Sequence, residues 1–206
     1  MADGNFAQLR SAILLMPADV RLALRRDTGV MGAIRARREE SPEEAHVLMA
    51  MLLLGGAQWD VDYSGASPAN DFTRALAGDG LGSLPVDPGT TMNCWEYVMY
   101  ADFLAGNVDD RALRDFAWAR PGGTGRLEQT GWRDTLRPGS EEPALGDLVT
   151  YEGNPRAIPR HVMLYAGGGI VVSHDNAGMN ATTTTMDQQR DQQGGVLRSC
   201  PVPWRG

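Results

Sequence analysis

Along the first 58 residues, apolar positions recur at mixed spacings of three and four, the mark of helices with one buried face. Phe6 to Met16 and Ala18 to Arg37 follow this pattern. Ser41-Pro42-Glu43-Glu44 then opens another helix with a capping box and a proline at the first helical position. That helix is expected to run to Leu54 and stop at Gly55-Gly56. At Ala57 the period changes, and Gln58 to Tyr63 alternates like a short strand before a Ser/Gly/Pro turn. The boundary is read here, with an N-terminal helical segment over 1–58 and the functional domain over 59–206.

Within the second part, Asn70 to Ala77 reads as a short helix. Asp79 to Gly89 is a glycine- and proline-rich connector whose glycines lack phosphate-loop spacing. Helix resumes over Thr91 to Ala105 and Asp109 to Ala119, and Arg120 to Pro143 is loop-rich. Three short strands follow: Leu145 to Tyr151, His161 to Tyr165 and Ile170 to His174, the last two joined as a hairpin through Ala166-Gly167-Gly168-Gly169. Thr182 to Thr185 and the glutamines after it read as a polar surface loop or edge, and Gly195 to Trp204 as one more strand. Helices first and an antiparallel sheet afterwards define an α+β domain.

Composition narrows the classes. With 206 residues, 42% hydrophobic and 22% charged, the chain can bury a real core. A formal net charge of −7 argues against nucleic acid as a partner, because phosphate neutralisation needs a basic face. The longest apolar run, Val47 to Gly56, is far short of the roughly 20 residues of a membrane span. Ala12 to Met16 is too brief for the apolar core of an export signal, so the chain is expected in the cytoplasm of its producing cell or outside it by a signal-peptide-independent route. All 19 basic residues are arginine. Codon usage is the first reading of that bias; the second is avoidance of lysine by a protein that acts on, or is tagged through, amino groups.

Two cysteines cannot build a secreted disulfide framework, so each is read as a thiol. Cys94 follows the turn Asp87-Pro88-Gly89-Thr90-Thr91 and precedes the apolar positions Trp95, Val98, Met99 and Phe103, which sets it in the first turn of a helix. The unpaired N–H groups there are expected to stabilise a thiolate and a developing oxyanion. His161 leads one strand of the hairpin and His174 ends the next. A two-residue turn at Gly167-Gly168 pairs 161 with 174 and makes the imidazoles neighbours; a three-residue loop puts Ser173 opposite His161 instead. An imidazole can take the thiol proton, and a third polar group can fix its tautomer: His174, with Ser173, Asp175 and Asn176 in reserve. Against this stands a plainer reading, in which Cys94 is a small buried hydrophobe and the histidines are strand ends in water. His46, alone on its helix, is set aside as solvated or packed. Cys200 with Cys94 and the histidines lacks metal-ligand spacing, and no metal or other cofactor is expected. Five tryptophans, Trp59, Trp95, Trp118 and Trp132 among them, read as core and groove aromatics; Asp109-Asp110 and Glu141-Glu142 read as solvated loop charges.

Asn93-Cys94-Trp95-Glu96-Tyr97-Val98, then Gly146-Asp147-Leu148-Val149, then His161-Val162-Met163-Leu164-Tyr165 with a glycine turn, resembles the NlpC and CHAP branches of the papain-like cysteine peptidases and amidases over about residues 87–176. The resemblance implies a papain-like domain with the nucleophile helix packed on an antiparallel sheet. It also implies Cys94 as nucleophile, His161 as base and His174 as the tautomer-fixing partner. The third member is displaced by one position, which keeps Ser173 open, and Asn93 and Tyr63 are candidates to supplement the oxyanion hole. The implied activity is thiol-dependent cleavage of a peptide or amide bond, with acyl transfer, transglutamination or deamidation of a protein target as alternatives from the same machinery. A cell-wall peptide substrate without an export signal suggests a bacterial toxin or effector, which would bring an immunity or chaperone partner. The rival class is a non-catalytic binding module of the same fold.

Overall fold

The computed structural model describes residues 2–59, 70–85, 87, 89–117, 132–138, 141–152, 161–174, 181–193 and 196–205. The expected strand residues 60–63, and with them Tyr63, lie outside these, as do Trp118, Asp175 and Asn176. The described residues form an α+β structure. Helices α1 (Ala2–Leu15), α2 (Ala18–Arg26), α3 (Thr28–Arg37) and α4 (Pro42–Leu52) come first, then strand β1 (Ala57–Trp59) and helix α5 (Asp71–Ala77). Strand β2 (Thr90–Met92) leads into α6 (Cys94–Ala105) and α7 (Asp110–Ala117). The rest is strands β3 (Leu148–Glu152), β4 (Val162–Gly167), β5 (Ile170–His174) and β6 (Ala181–Thr185), helix α8 (Met186–Gln193) and strand β7 (Val196–Cys200). No helix among the described residues is long and apolar enough to cross a membrane.

Local chemistry explains most helix boundaries. The span 18–37 divides at Asp27, whose carboxylate accepts the N–H groups of Gly29 and Val30 and so starts α3 where α2 ends. Ser41 caps α4 by accepting the N–H of Glu44, with Pro42 at the first turn. Only half of the expected capping box forms, because the Glu44 carboxylate turns to Arg37 at 2.5–2.6 Å. α4 stops at Leu52, two residues short of the expected end. Several helix C-termini are closed by arginines from elsewhere: Arg21 donates to the carbonyl of Leu54, Arg35 to Leu104, Arg38 to Gly106 and Arg114 to Leu76. A planar guanidinium fork suits these unpaired carbonyls, and this is a structural use of the arginine bias.

The core is layered. Every residue of α4 from Glu44 to Leu52 is buried, and a helix with so few polar positions belongs at the centre. It packs against α1, α2, α3 and α6, and one apolar cluster runs from Phe6 through Leu48, Val98 and Val162 to Trp204. The cluster is therefore continuous across residue 58. α6 in turn lies on β4 and β5 of an antiparallel sheet ordered β6-β5-β4-β3-β7. The sheet's other face carries a second cluster of Val149, Met163, Tyr165, Val171, Met186 and Leu197. Trp95, Trp132 and Trp204 are core residues, 3–5% exposed.

Gly146 opens β3 at φ 79°, where a Cβ would lie 2.9 Å from the Cβ of Glu43, so the Gly146-Asp147 turn needs glycine for both conformation and space. Asp147 closes that turn by accepting the N–H of Ala144 at 2.9 Å and Arg137 at 2.7 Å.

Of the stretch read as a polar surface loop or edge, Thr182–Thr185 form the edge strand β6, and the glutamines after them form helix α8 instead. Thr185 Oγ1 accepts the N–H of Gln188 and Gln188 Oε1 accepts the N–H of Thr185, a complete capping box at the start of α8. Asp109 is an exposed loop charge as expected, but Asp110 lies in the first turn of α7 and is half-buried. Asp109 caps α7 through the N–H of Ala112, and Asp110 accepts the N–H of Leu81 at 2.7 Å.

His46 is packed, fully buried on α4. Its Nε2 donates to the carbonyl of Val98 at 2.9 Å, and its Nδ1 accepts from Arg205 Nη2 at 2.9 Å. Arg205 reaches both oxygens of the buried Asp102, at 2.5 and 2.9 Å, and Asp102 also accepts from Trp204 Nε1 and Asn107 Nδ2. This network ties the 3-10 turn Pro203–Arg205 between α4 and α6. Burial, with the Arg205 charge, pushes the His46 pKa below its ordinary value against the pull of Asp102, while Arg205 and the Asn107 hydrogen bond hold Asp102 low in spite of its own burial.

Candidate active site

The site is built where β2 turns into α6. β2 pairs in parallel with β1, so the expected helix start at Thr91 is a strand, and the helix begins at Cys94. The cap is Asn93, not the Asp87–Thr91 turn. Asn93 Oδ1 accepts the N–H of Glu96 at 3.0 Å, and Glu96 Oε2 accepts the N–H of Asn93 at 2.7 Å and Asn70 Nδ2 at 2.6 Å. The Asn93 side chain, considered as an oxyanion supplement, is thus held in the cap through its oxygen. Asp71 braces the same corner by accepting the N–H and hydroxyl of Thr91, both at 2.8 Å; these bonds and Arg74 hold its pKa down although burial pushes it up.

Cys94 is the first residue of α6, in the first turn as expected. Its thiol is 5% exposed as part of the residue and receives the N–H groups of Val162, Trp95 and Cys94 itself. These donors favour a thiolate, yet burial outweighs them and the Glu96 carboxylate adds to the same side. The pKa is pushed up to about 11. The expectation of a thiolate at rest is therefore corrected: three aimed N–H groups do not replace the lost water. Cys200 is also buried, and burial together with Asp147 pushes its thiol up to about 12.

The Val162 N–H belongs to the peptide that joins it to His161, so the sulfur abuts the leading end of β4. His161 Nε2 lies 2.8 Å from Ser173 Oγ. This pairing follows from the hairpin register. The turn residues are Gly168 and Gly169, both at positive φ, rather than Gly167 and Gly168, and a bulge lies between Tyr165 and Gly167. Met163 consequently faces Ser173, and neither expected register holds.

Alternation then sends Ser173 and His174 to opposite faces. His174 does not meet His161. It is 1% exposed on the α6 side, with Nε2 donating to the carbonyl of Met92 at 3.0 Å and its ring 5.1 Å from that of Tyr97. Ser173 is the side chain that meets His161 in its stead, and the His174–Met92 bond fastens β5 to the strand before Cys94.

Sequence reasoning missed Tyr151, whose ring stacks on that of His161 at 6.0 Å and 21°, and the buried Glu96 beside the thiol. The signal for Glu96 was the Asn93-x-x-Glu96 capping pattern. Among the described residues, no group of three or more His, Cys, Asp or Glu side chains is arranged to hold a metal ion. Compared with models of protein families the chain matches none, and no curated protein matches it.

Proposed function

We propose that the protein is a thiol-dependent enzyme acting on an amide bond, with Cys94 as nucleophile, His161 as base and Ser173 as the group that orients the base. The observation that carries this reading is the seating of the Cys94 thiol at the N-terminus of α6 against the His161–Val162 peptide, with His161 Nε2 already engaged by Ser173. With Nε2 so bonded, Nδ1 is the nitrogen that would receive the thiol proton. Because the buried thiol is protonated at rest, the proton would leave as the sulfur attacks the substrate carbonyl, in general-base fashion. The sulfur–carbon bond forms, and the N–H groups at the helix start hold the oxyanion. The imidazolium then returns its proton to the leaving amine as the carbon–nitrogen bond breaks, leaving a thioester. Water completes hydrolysis; an amine completes transfer.

The order of cysteine helix, Gly-Asp strand and histidine-led strand supports placing the chain with the NlpC or CHAP type of papain-like enzymes. On that reading the substrate is a cell-wall peptide, met as a secreted toxin or effector, or a protein amide. The burial of Cys94 favours a second reading, a non-catalytic module of the same shape.

One experiment separates them: iodoacetamide alkylation followed by peptide mass spectrometry across pH 5–10, with Cys200 as internal control, in the parent, His161→Ala and His174→Ala. The enzyme reading expects Cys94 to react faster than Cys200 at pH 7 and to lose that advantage in His161→Ala but not in His174→Ala. Equal rates for both thiols, unmoved by His161→Ala, would overturn it in favour of the binding module.

A further inference from the structure

Arg25 on α2 is 4% exposed, yet its Nε and Nη1 are sealed from solvent without a hydrogen-bond acceptor. The guanidinium fills a notch over Gly56, where an added Cβ would fall 2.5 Å from its Cζ and closer still to Nη1. Burial pushes its pKa below the ordinary guanidinium value. The ionisable groups that act on it most are Tyr97, Arg21, Tyr100 and Arg26, with no carboxylate among them. The two phenols donate their own protons to the carbonyls of Ala50 and Leu84. Arg21 stands one turn earlier on the same face of α2, its Nη2 4.0 Å from where a Cβ of Gly55 would be. Its bonds go to the carbonyls of Leu54 and Met16, which leave its charge unneutralised. Neither acid of this stretch serves the pair: Asp27 caps α3, and Asp19 is six positions from Arg25, about 240° round the helix.

We propose that Arg21 and Arg25 form a binding site for a phosphate group at the Gly55–Gly56 turn. Like charges four residues apart on a helix repel, and a buried guanidinium with unmet N–H groups is costly. An anion that accepts from both side chains removes the two penalties together. A phosphate fits better than a carboxylate, because it matches two adjacent cations with close to two negative charges and offers the guanidinium forks three acceptor oxygens. The notch itself is filled, so the anion meets Arg25 at its mouth, where Arg21 is half-buried and Arg26 is exposed. The long arginine stem lets the guanidinium leave Gly56 for that partner, and the acceptors it lacks in the notch favour the move. Gly56 thus gives the charge a resting place, and the anion gives it a partner. No residue of the Cys94, His161 and Ser173 arrangement belongs to this site.

The test is isothermal titration calorimetry of the full chain with inorganic phosphate, in a phosphate-free buffer whose ionic strength is held constant with sodium chloride. The variants are Arg25→Met, which keeps the stem and removes the charge, Arg21→Gln, and Arg111→Gln at an exposed position of α7 as a control. The expected result is saturable binding in the parent and in Arg111→Gln, weakened by on the order of tenfold or more in Arg25→Met and in Arg21→Gln, as the loss of one charge-assisted partner requires. Acetate should bind at least about tenfold more weakly than phosphate. Glycerol 1-phosphate separates the sources: affinity at or above that of inorganic phosphate assigns the site to a phosphate carried on a larger molecule, and lower affinity assigns it to the free ion. Were Arg25→Met to misfold, as read by circular dichroism, Arg21→Gln would carry the test through the same readout. No saturable heat in the parent, or one affinity shared by the parent and the folded site variants, overturns the site. Acetate binding as tightly as phosphate overturns the assignment to phosphate.

Discussion

Neutral, fully buried His46 makes the stability of the fold depend on pH in a window set by one imidazole. Burial disfavours the imidazolium, and Arg205, 2.9 Å from Nδ1, disfavours it further, against the opposing pull of Asp102 at 3.4 Å and of Glu43. The folded pKa therefore lies below the unfolded value of 6.5. Above pH 6.5 both states are neutral and the full stability is present. Below it the unfolded chain takes up a proton that the native state refuses, so stability falls by about 1.4 kcal/mol per pH unit until the folded pKa is reached. Between pH 7.5 and 5.0 the loss can reach at most about 2 kcal/mol, the limit for a native state that takes up no proton in that range. His46→Gln removes the titration while retaining a group that can donate to the Val98 carbonyl and accept from Arg205. Equilibrium urea unfolding of the parent and of His46→Gln at both pH values isolates the effect, since His161, His174 and the carboxylates are common to both. The parent should lose more stability than the variant, by up to about 2 kcal/mol. Parallel losses would mean that Asp102 wins over Arg205 and burial, and would refute the assignment of a neutral His46.

Glu96→Gln keeps an oxygen for the N–H of Asn93 and for Asn70 but removes the charge near the thiol, so the alkylation midpoint of Cys94 should fall by on the order of one pH unit; an unmoved midpoint would leave burial as the whole cause. Asp102→Ala strands Arg205 and removes the acceptor of Trp204 and Asn107, and should cost about 3–5 kcal/mol in urea unfolding at pH 7.5. Thr185→Val deletes half of the α8 capping box. A loss of about 1 kcal/mol is expected, with faster amide hydrogen exchange confined to α8; exchange rising throughout the sheet would show that α8 is not a separate unit.

What could be read from the chain alone was whatever near neighbours decide. Ser41-Pro42 starts α4, Asn70 starts α5, Cys94 lies in the first turn of its helix, and three short apolar runs become β3, β4 and β5 because alternation and turn residues act over a few positions. Local signals also existed that went unread, as in Thr185-x-x-Gln188, where polar composition masked a helix start. The remaining features depend on contacts distant in sequence. Which two of three consecutive glycines make the turn cannot be told from their identity. The choice of Gly168-Gly169 with a bulge after Tyr165 moves the register by one, which exchanges His174 for Ser173 beside His161. The acidity of Cys94 likewise turns on how completely β4 and the core exclude water from a helix end that, in isolation, would favour the thiolate. Local pattern determined the elements; packing between elements decided which side chains meet and how much water they keep, because register and desolvation are properties of pairs that only the folded chain brings together.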